Sequence, residues 1–211
     1  MKKVLYLILS IVIIMSSCSF EEEYSFDSDW GGKYLATLDM SGIAQMGGEE
    51  MEKKELIPED EIQSLESKIN DIKGISNAKV DPNEEDFTID FSYDFENLEA
   101  LNLLNSSDLE DGDDESPFGA LGKWKMENKG KKKFFMSMMS QDEMTSDIDS
   151  EEAKQAGEML QVTTTLTFPR KVKDVKSDVA TKGTNDKQVI VKYTGKDLMD
   201  PEKNWIIEVK L

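Results

Sequence analysis

The chain has 211 residues, with 44 Asp and Glu against 25 Lys and Arg, no histidine and one cysteine. A formal charge of −19 argues against a nucleic-acid partner and against adhesion to anionic lipid head groups. Without histidine or a second thiol, the chain lacks the usual ligands of zinc, copper, haem and iron–sulfur centres, and it cannot form an internal disulfide or a histidine-based catalytic pair.

The first 17 residues have the pattern of a secretory signal peptide. Two lysines precede an apolar run from Val4 to Met15, and two serines follow it at the expected cleavage position. The apolar run is too short for the roughly 20 residues of a membrane-spanning helix. The tetrapeptide MSSC that ends at Cys18 resembles the lipobox of bacterial lipoproteins, which implies lipidation of Cys18 and cleavage just before it. We therefore predict a signal peptide over residues 1–17 and a mature chain held at a membrane by its acylated Cys18.

The residues after Cys18 predict a β-hairpin. Ser19–Phe26 and Lys33–Met40 alternate apolar and polar side chains, and the run from Asp27 to Gly32 is rich in turn-forming residues. Trp30 lies in this turn, where it either packs on the sheet or stays exposed for recognition. Because the first strand begins directly after Cys18, we expect the fold to lie close to the membrane.

The acidic start SFEEE, at residues 19–23, is similar to the export signals that send Bacteroidota lipoproteins to the cell surface. A second interpretation is that these glutamates are the water-facing residues of the first strand, and both interpretations can hold together. We predict a lipid-anchored protein of the outer membrane and leave open whether it faces the cell surface or the periplasm.

The next part of the chain predicts a helix. Ser41–Leu56 is only weakly helical, whereas Pro58 and the acidic residues after it fit a helix start and Gly74 fits its end. The apolar face of this helix has the expected spacing and contains Ile62, Leu65, Ile69 and Ile72.

The strongest strand pattern of the chain follows. A strand is expected over Ile75–Asp81, with a turn at Pro82-Asn83. Asp86–Phe95 then alternates almost perfectly, and its inward residues are Phe87, Ile89, Phe91, Tyr93 and Phe95. Asn97–Leu104 predicts a short helix.

An acidic stretch over residues 106–117 interrupts these patterns. It has almost no core-forming side chains, so we predict a mobile loop. A calcium site within Asp108–Glu115 does not fit the EF-hand spacing, because Ser107 and Leu109 would occupy two ligand positions. We therefore predict no metal site.

The last part of the chain is mostly strands. Gly122–Glu127 and Lys132–Met138 predict a second hairpin, Met138–Ser150 a loop and Glu151–Leu160 a helix. Further strands, with one helical turn at Gly195–Met199, are expected over Val162–Phe168, Lys171–Val175, Gln188–Tyr193 and Asn204–Leu211. The whole pattern predicts a single α+β domain over residues 18–211, with a mainly antiparallel sheet and helices packed on one face.

Methionines suggest a place for an apolar ligand. Met136, Met138 and Met139 lie close together in the sequence, and flexible thioethers can line an apolar groove. Such side chains also fill irregular cores, and the sequence leaves both interpretations open.

These elements resemble the lipoprotein domain of the mycobacterial LppM type. The similarity lies in the hairpin after Cys18, in the strand–helix step from Phe87 to Leu101, and in the run LTFPRKV at residues 166–172. That run is similar to the strand end Phe-Pro-Gly-x-Val of the family, with Arg170 in place of the glycine. The resemblance implies an α+β domain that binds lipids or glycolipids, and it implies no catalytic residue.

We therefore predict a non-enzymatic, lipid-anchored envelope protein without a cofactor, which binds a lipid or another apolar ligand. No glycine-rich phosphate loop is present, and carboxylate pairs are uninformative in a chain with 44 acidic residues. The alternative is a surface-exposed structural or protein-interaction module. A lipid-binding function needs an apolar cavity, an interaction module needs an exposed patch, and a hydrolase would need a cleft with two converging carboxylates.

Overall fold

A computed structural model of the chain describes residues 18–42, 57–106, 124–138, 160–198, 200 and 202–211. These residues form eleven strands and three helices. The strands are β1 (Ser19–Phe26), β2 (Gly32–Asp39), β3 (Ile75–Asn83), β4 (Thr88–Phe95), β5 (Trp124–Asn128), β6 (Lys133–Met138), β7 (Gln161–Thr167), β8 (Asp174–Lys176), β9 (Ala180–Lys182), β10 (Gln188–Thr194) and β11 (Ile206–Lys210). The helices are α1 (Glu59–Asn70), α2 (Leu98–Ser106) and α3 (Gly195–Leu198). The predicted signal peptide, the acidic loop beyond Ser106, Met139 and nearly all of the predicted helix at 151–160 lie outside the described residues.

The strands divide between two sheets. The large sheet has seven strands in the order β3-β4-β2-β1-β7-β10-β9, and the small sheet has four in the order β5-β6-β11-β8. The neighbouring strands pair antiparallel, except that β1 and β7 run parallel. The predicted α+β class with mainly antiparallel pairing is confirmed, and the division into two sheets is an addition to it.

The two sheets pack face to face through the side chains that alternate inward. The ring centroid of Phe26 in the large sheet lies 5.3 Å from that of Phe134 in the small sheet, and Trp124 and Tyr193 approach to 6.0 Å. The buried apolar side chains of the described residues belong to one cluster, which also contains Leu101 of α2. The core is therefore the layer between the sheets, closed in part by the helices.

Helix α1 covers the free edge of β3. The side-chain oxygens of Glu66 and Asn70 accept hydrogen bonds from the main-chain N–H groups of Val80 and Ala78, at 2.9 and 3.0 Å. The unpaired main-chain groups of an open strand edge can pair with other chains, and these two side chains occupy two of the N–H groups of β3. Ile69, one of the predicted apolar residues, is the buried residue of this helix.

Helix α2 covers the free edge of β5 in the same way. Asn102 and Asn105, one helical turn apart, both bond to main-chain groups of β5, and the Asn105 amide donates to the carbonyl of Trp124 at 2.7 Å. The helix also buries Leu98, Leu101 and Leu104. Each of the two long helices thus protects a sheet edge and fills the core.

The turn between β3 and β4 lies later in the chain than the sequence predicts. Strand β3 runs through the predicted turn at Pro82-Asn83, and the turn covers residues 84–87. The side-chain oxygen of Asn83 accepts from the N–H groups of Glu85 and Asp86, which fixes the turn there. Phe87, predicted as the first inward residue of the strand, is instead a half-buried turn residue with φ of 55°.

Between β7 and β10 the chain is less regular than predicted. The expected strand at Lys171–Val175 is mostly loop, because the N–H of Val172 bonds to the carbonyl of Asp186 at 2.7 Å instead of to a neighbouring strand. Strand β8 begins only where Asp174 pairs with Lys210. Strand β9 was not predicted, since three residues are too few for a periodic pattern.

Trp30 packs into the core. Its side chain is 8% exposed, and its ring stacks on Phe134 with a centroid distance of 5.8 Å and an angle of 15°. The backbone of Trp30 has a φ of 72°, a value that residues other than glycine rarely adopt. The burial of the indole therefore coincides with a strained backbone conformation at Trp30.

Candidate functional site

Cys18 is joined to the fold without a linker. The main-chain N–H of Gln161 donates to the Cys18 carbonyl at 3.0 Å, and Ser19 already pairs with Asp39 and with Gln161. The Cys18 side chain is half-buried. The predicted lipid-attachment residue therefore directly precedes the first paired residue of the large sheet, Ser19.

The edge of the large sheet next to Cys18, called here the Cys18 end, is formed by the first or last residues of its strands. Ser19, Asp39, Thr88, Gln161 and Thr194 are aligned there by strand pairing. The opposite end carries tight connections, among them the turn after β1 and the turn between β5 and β6. The end that contains Cys18 also carries the short turn between β3 and β4, so Cys18 is what distinguishes it from the opposite end.

The predicted apolar ligand-lining methionines do not lie together on a surface. Met136 is on the inward side of β6 and is 0% exposed, so its side chain belongs to the core. Met138, at the end of the same strand, is half-buried against that core. Met139 lies outside the described residues. For Met136, the location is the one expected of a core-filling residue.

A surface groove of about 460 Å³ lies between α2 and β5. Leu103, which is 46% exposed, supplies an exposed apolar side chain there, whereas Leu98 and Met126, which also border the groove, are buried. Polar groups from both elements, including Lys125 and Glu127, also line it. The groove therefore offers one exposed apolar side chain with charged side chains around it.

Glu22 is the buried carboxyl of the described residues. It lies on the inward side of β1 and is 7% exposed, and Thr164 is the other buried polar residue of these ranges. The Thr164 hydroxyl donates to Oε1 at 2.6 Å, and the hydroxyls of Tyr34 and Tyr24 donate to Oε2 at 3.1 and 3.2 Å. The interpretation of the acidic start as entirely water-facing is wrong for Glu22, whereas Glu21 and Glu23 do lie on the outer face.

The alternation of side chains along β1 indicated that Glu22 faces inward. Phe20, Tyr24 and Phe26 were assigned to the inward face, and Glu22 has the same parity. The run of three glutamates hid this signal, because a carboxylate is expected to face water. The three hydroxyl donors could not be read from the sequence, since Tyr34 and Thr164 come from other strands.

Burial dominates the electrostatics around Glu22. Burial raises the pKa of Glu22, although the three hydroxyl donors lower it. Burial, followed by the nearby Glu22 carboxyl, also raises the pKa of Tyr24, Tyr34, Tyr93 and Tyr193. The site is therefore a hydrogen-bonded cluster in which burial disfavours negative charge.

The outer face of the large sheet has a shallow depression of about 250 Å³. Glu21, Leu35, Thr37 and Thr163 are among the residues around it, and Leu35 is 54% exposed. Glu23 also borders it, with its carboxyl bonded to the hydroxyls of neighbouring residues. The depression is thus a mostly polar surface that includes the exposed apolar side chain of Leu35.

Within the described ranges, no three acidic or cysteine side chains are grouped as metal ligands would be. None of the helices in these ranges has the length and apolar composition needed to cross a bilayer. No protein-family model matches the chain, and neither a curated protein nor a solved structure gives a significant match.

Proposed function

We propose that the chain is a non-enzymatic, lipid-anchored protein of the bacterial outer membrane, whose two-sheet domain is held directly against the bilayer by acyl chains on Cys18. The observation that carries this proposal is the position of Cys18, which follows a signal-peptide pattern and precedes the first residue of β1. The hydrogen bond between Gln161 and the Cys18 carbonyl supports a rigid attachment.

The absence of a linker between Cys18 and β1 sets the orientation of the domain. Two or more acyl chains are needed for a stable anchor, since one chain binds only marginally. With the anchor at Cys18, the Cys18 end faces the head groups and the short loops at the other end face away. Surface exposure and a periplasmic position both remain compatible with this orientation.

The close packing of the described residues supports a function carried by the protein surface. Side chains with less than 2% exposure occupy the space between the sheets, and the largest of them are Trp124, Phe134 and Phe168. A domain that encloses a lipid needs an apolar cavity there instead. We infer that the domain acts as an interaction module, with its outer sheet face and distal loops available for contact.

Binding of a lipid or another apolar ligand is the second candidate function, and the groove between α2 and β5 favours it. The groove has a volume of about 460 Å³ and is open to solvent, so it would contact an apolar ligand on one side. Leu103 supplies an exposed apolar side chain in that groove. The resemblance to LppM-type domains, which implies lipid binding, stays a prediction.

Metabolic labelling with an alkyne fatty acid tests the anchor. We expect the wild-type chain to be labelled and to sediment with membranes, and Cys18→Ala to lose the label. Ser17→Ala is the matched control, because it keeps a small residue at the cleavage site and keeps the cysteine. Equal labelling of wild type and Cys18→Ala would contradict the proposal.

Binding of a fluorescent fatty acid distinguishes the two candidate functions. If the groove binds apolar ligands, Leu103→Glu should weaken binding, whereas Leu35→Glu, on the outer face of the large sheet and outside the groove, should not. Both side chains are about half exposed, so both variants should fold. A wild-type protein that does not bind the probe would remove the lipid-binding candidate and favour the interaction module.

A further inference from the structure

Glu22 connects the two parts of the large sheet. Strands β1 to β4 come from the first half of the chain, and β7, β9 and β10 come from the second half. They meet at the parallel pair β1 and β7, where Glu22 lies opposite Thr164. The side-chain hydrogen bond of 2.6 Å between these two residues therefore crosses the junction inside the core.

The same carboxyl is bonded within the first half of the sheet. Its other oxygen accepts from Tyr34 on β2 and from Tyr24 on β1. Glu22 is thus the central acceptor of a cluster that spans β1, β2 and β7. The three hydroxyls engage both carboxyl oxygens, and these contacts offset part of the cost of burying the group.

No positive charge faces Glu22 among the described residues. The titratable groups that surround it are phenols, from Tyr24 on β1, Tyr34 on β2, Tyr93 on β4 and Tyr193 on β10. The opposing small sheet contributes buried side chains that do not titrate, such as Met136 and Ile207. An ionised Glu22 would therefore be a buried charge without a counter-ion, which is costly in a protein interior.

We propose that Glu22 is a pH-sensitive contact that holds the two parts of the large sheet together when it is protonated and weakens their junction when it ionises. When protonated, the carboxyl donates its own hydrogen to one of the three hydroxyl oxygens and accepts from the other two, so the cluster holds no buried charge. The ionised form is relieved by opening the β1–β7 junction to water. The domain is consequently most rigid under acidic conditions and loosens as the pH rises.

The sign of the effect follows from proton linkage. An unfolded glutamate loses its proton near its ordinary pKa of 4.5, whereas burial raises the pKa of folded Glu22. Between these two values the folded state binds one more proton than the unfolded state, so stability falls as the pH rises. The contribution of Glu22 is complete below pH 4.5 and is lost as the pH rises through the folded pKa.

Urea unfolding of wild type and Glu22→Gln tests the proposal, because the difference between them cancels the other carboxyl groups. Measurements run upward in pH from just above the isoelectric point of about 4.4. We expect the unfolding constant of wild type, relative to Glu22→Gln, to rise by up to about tenfold per pH unit until Glu22 ionises. Glu21→Gln, an exposed neighbour on the outer face, should keep the wild-type dependence. Identical pH dependence of wild type and Glu22→Gln would overturn the proposal.

Two readouts keep the test decisive if Glu22→Gln does not fold. In wild type labelled at the glutamate carboxyl carbons, one NMR signal should titrate at higher pH than the others, and its absence would overturn the proposal. Amide hydrogen exchange, corrected for its intrinsic pH dependence, should show loss of protection in β1 and β7 as that signal titrates. Unchanged protection there would contradict the role of Glu22 at the junction.

Discussion

The side chain of Asn102 pairs with Met126 as a neighbouring strand would. Its amide donates to the Met126 carbonyl at 2.7 Å, and its oxygen accepts from the Met126 N–H at 2.8 Å. One helix residue thus satisfies both main-chain groups of an edge-strand residue, whose own side chain is 0% exposed. The contact joins α2 to the small sheet and orients the helix over the core.

Asn102→Ala should lower the free energy of unfolding by about 1–3 kcal/mol, because two partly buried main-chain groups lose their partners. Leu103→Ala is the control, since the neighbouring side chain is 46% exposed and its removal should cost much less. Urea unfolding followed by tryptophan fluorescence measures both. Equal costs for the two variants would show that the Asn102 contact does not stabilise the fold.

Phe91→Ala should cost about 3–5 kcal/mol, as expected for a truncated buried phenylalanine. Phe91 lies on the inward side of β4, is 9% exposed and is paired across the sheet with Ala36 and Val80. Ser92→Ala, on the outer face of the same strand, should change stability by about 0.5 kcal/mol or less. Thermal or urea unfolding would rank the two variants in reverse if the assignment of faces were wrong.

Met136→Ala should destabilise the domain by about 2–5 kcal/mol, since it leaves a cavity at a side chain with no exposure. Met138→Ala should cost clearly less, because its side chain is half-buried at the end of β6. A comparison of the two unfolding midpoints checks this order. If Met136→Ala leaves stability unchanged, Met136 does not fill the core.

The tyrosines of residues 18–211 should ionise only when the domain unfolds in alkali. All four are buried, and burial raises the pKa of each above its ordinary value of 10.0. The unfolded chain releases these protons near pH 10, so stability falls as the pH rises above that value. Phenolate absorbance and circular dichroism should therefore change in one coincident step. Gradual phenolate formation in a domain with native circular dichroism would contradict the burial of the cluster.

Local patterns predicted the elements whose signals lie within one segment. The alternation in β1 and β4 located both strands, and the spacing of Ile62, Leu65 and Ile69 located α1. The turn after β3 was predicted too early, because proline was read as a turn residue. A proline is also tolerated in an edge strand such as β3.

The pairing of strands that are far apart in the chain could not be predicted from the sequence. The parallel pairing of β1 with β7 joins residues more than 140 positions apart, such as Glu22 and Thr164, and no turn chemistry specifies it. The division of the strands into two sheets depends on the same kind of contact, for example between β6 and β11. The inward direction of the Glu22 side chain could therefore be predicted from strand alternation, but its hydrogen-bond donors on other strands could not.

Mass spectrometry of the N-terminal fragment, from protein purified out of the membranes of a producing cell, tests the lipid anchor most directly. We predict that the mature chain begins at Cys18 and that this residue carries the mass of a diacylglycerol, with an acyl group on its amino group. A chain that retains residues 1–17, or one that begins elsewhere with an unmodified Cys18, would contradict the proposed anchoring of the domain.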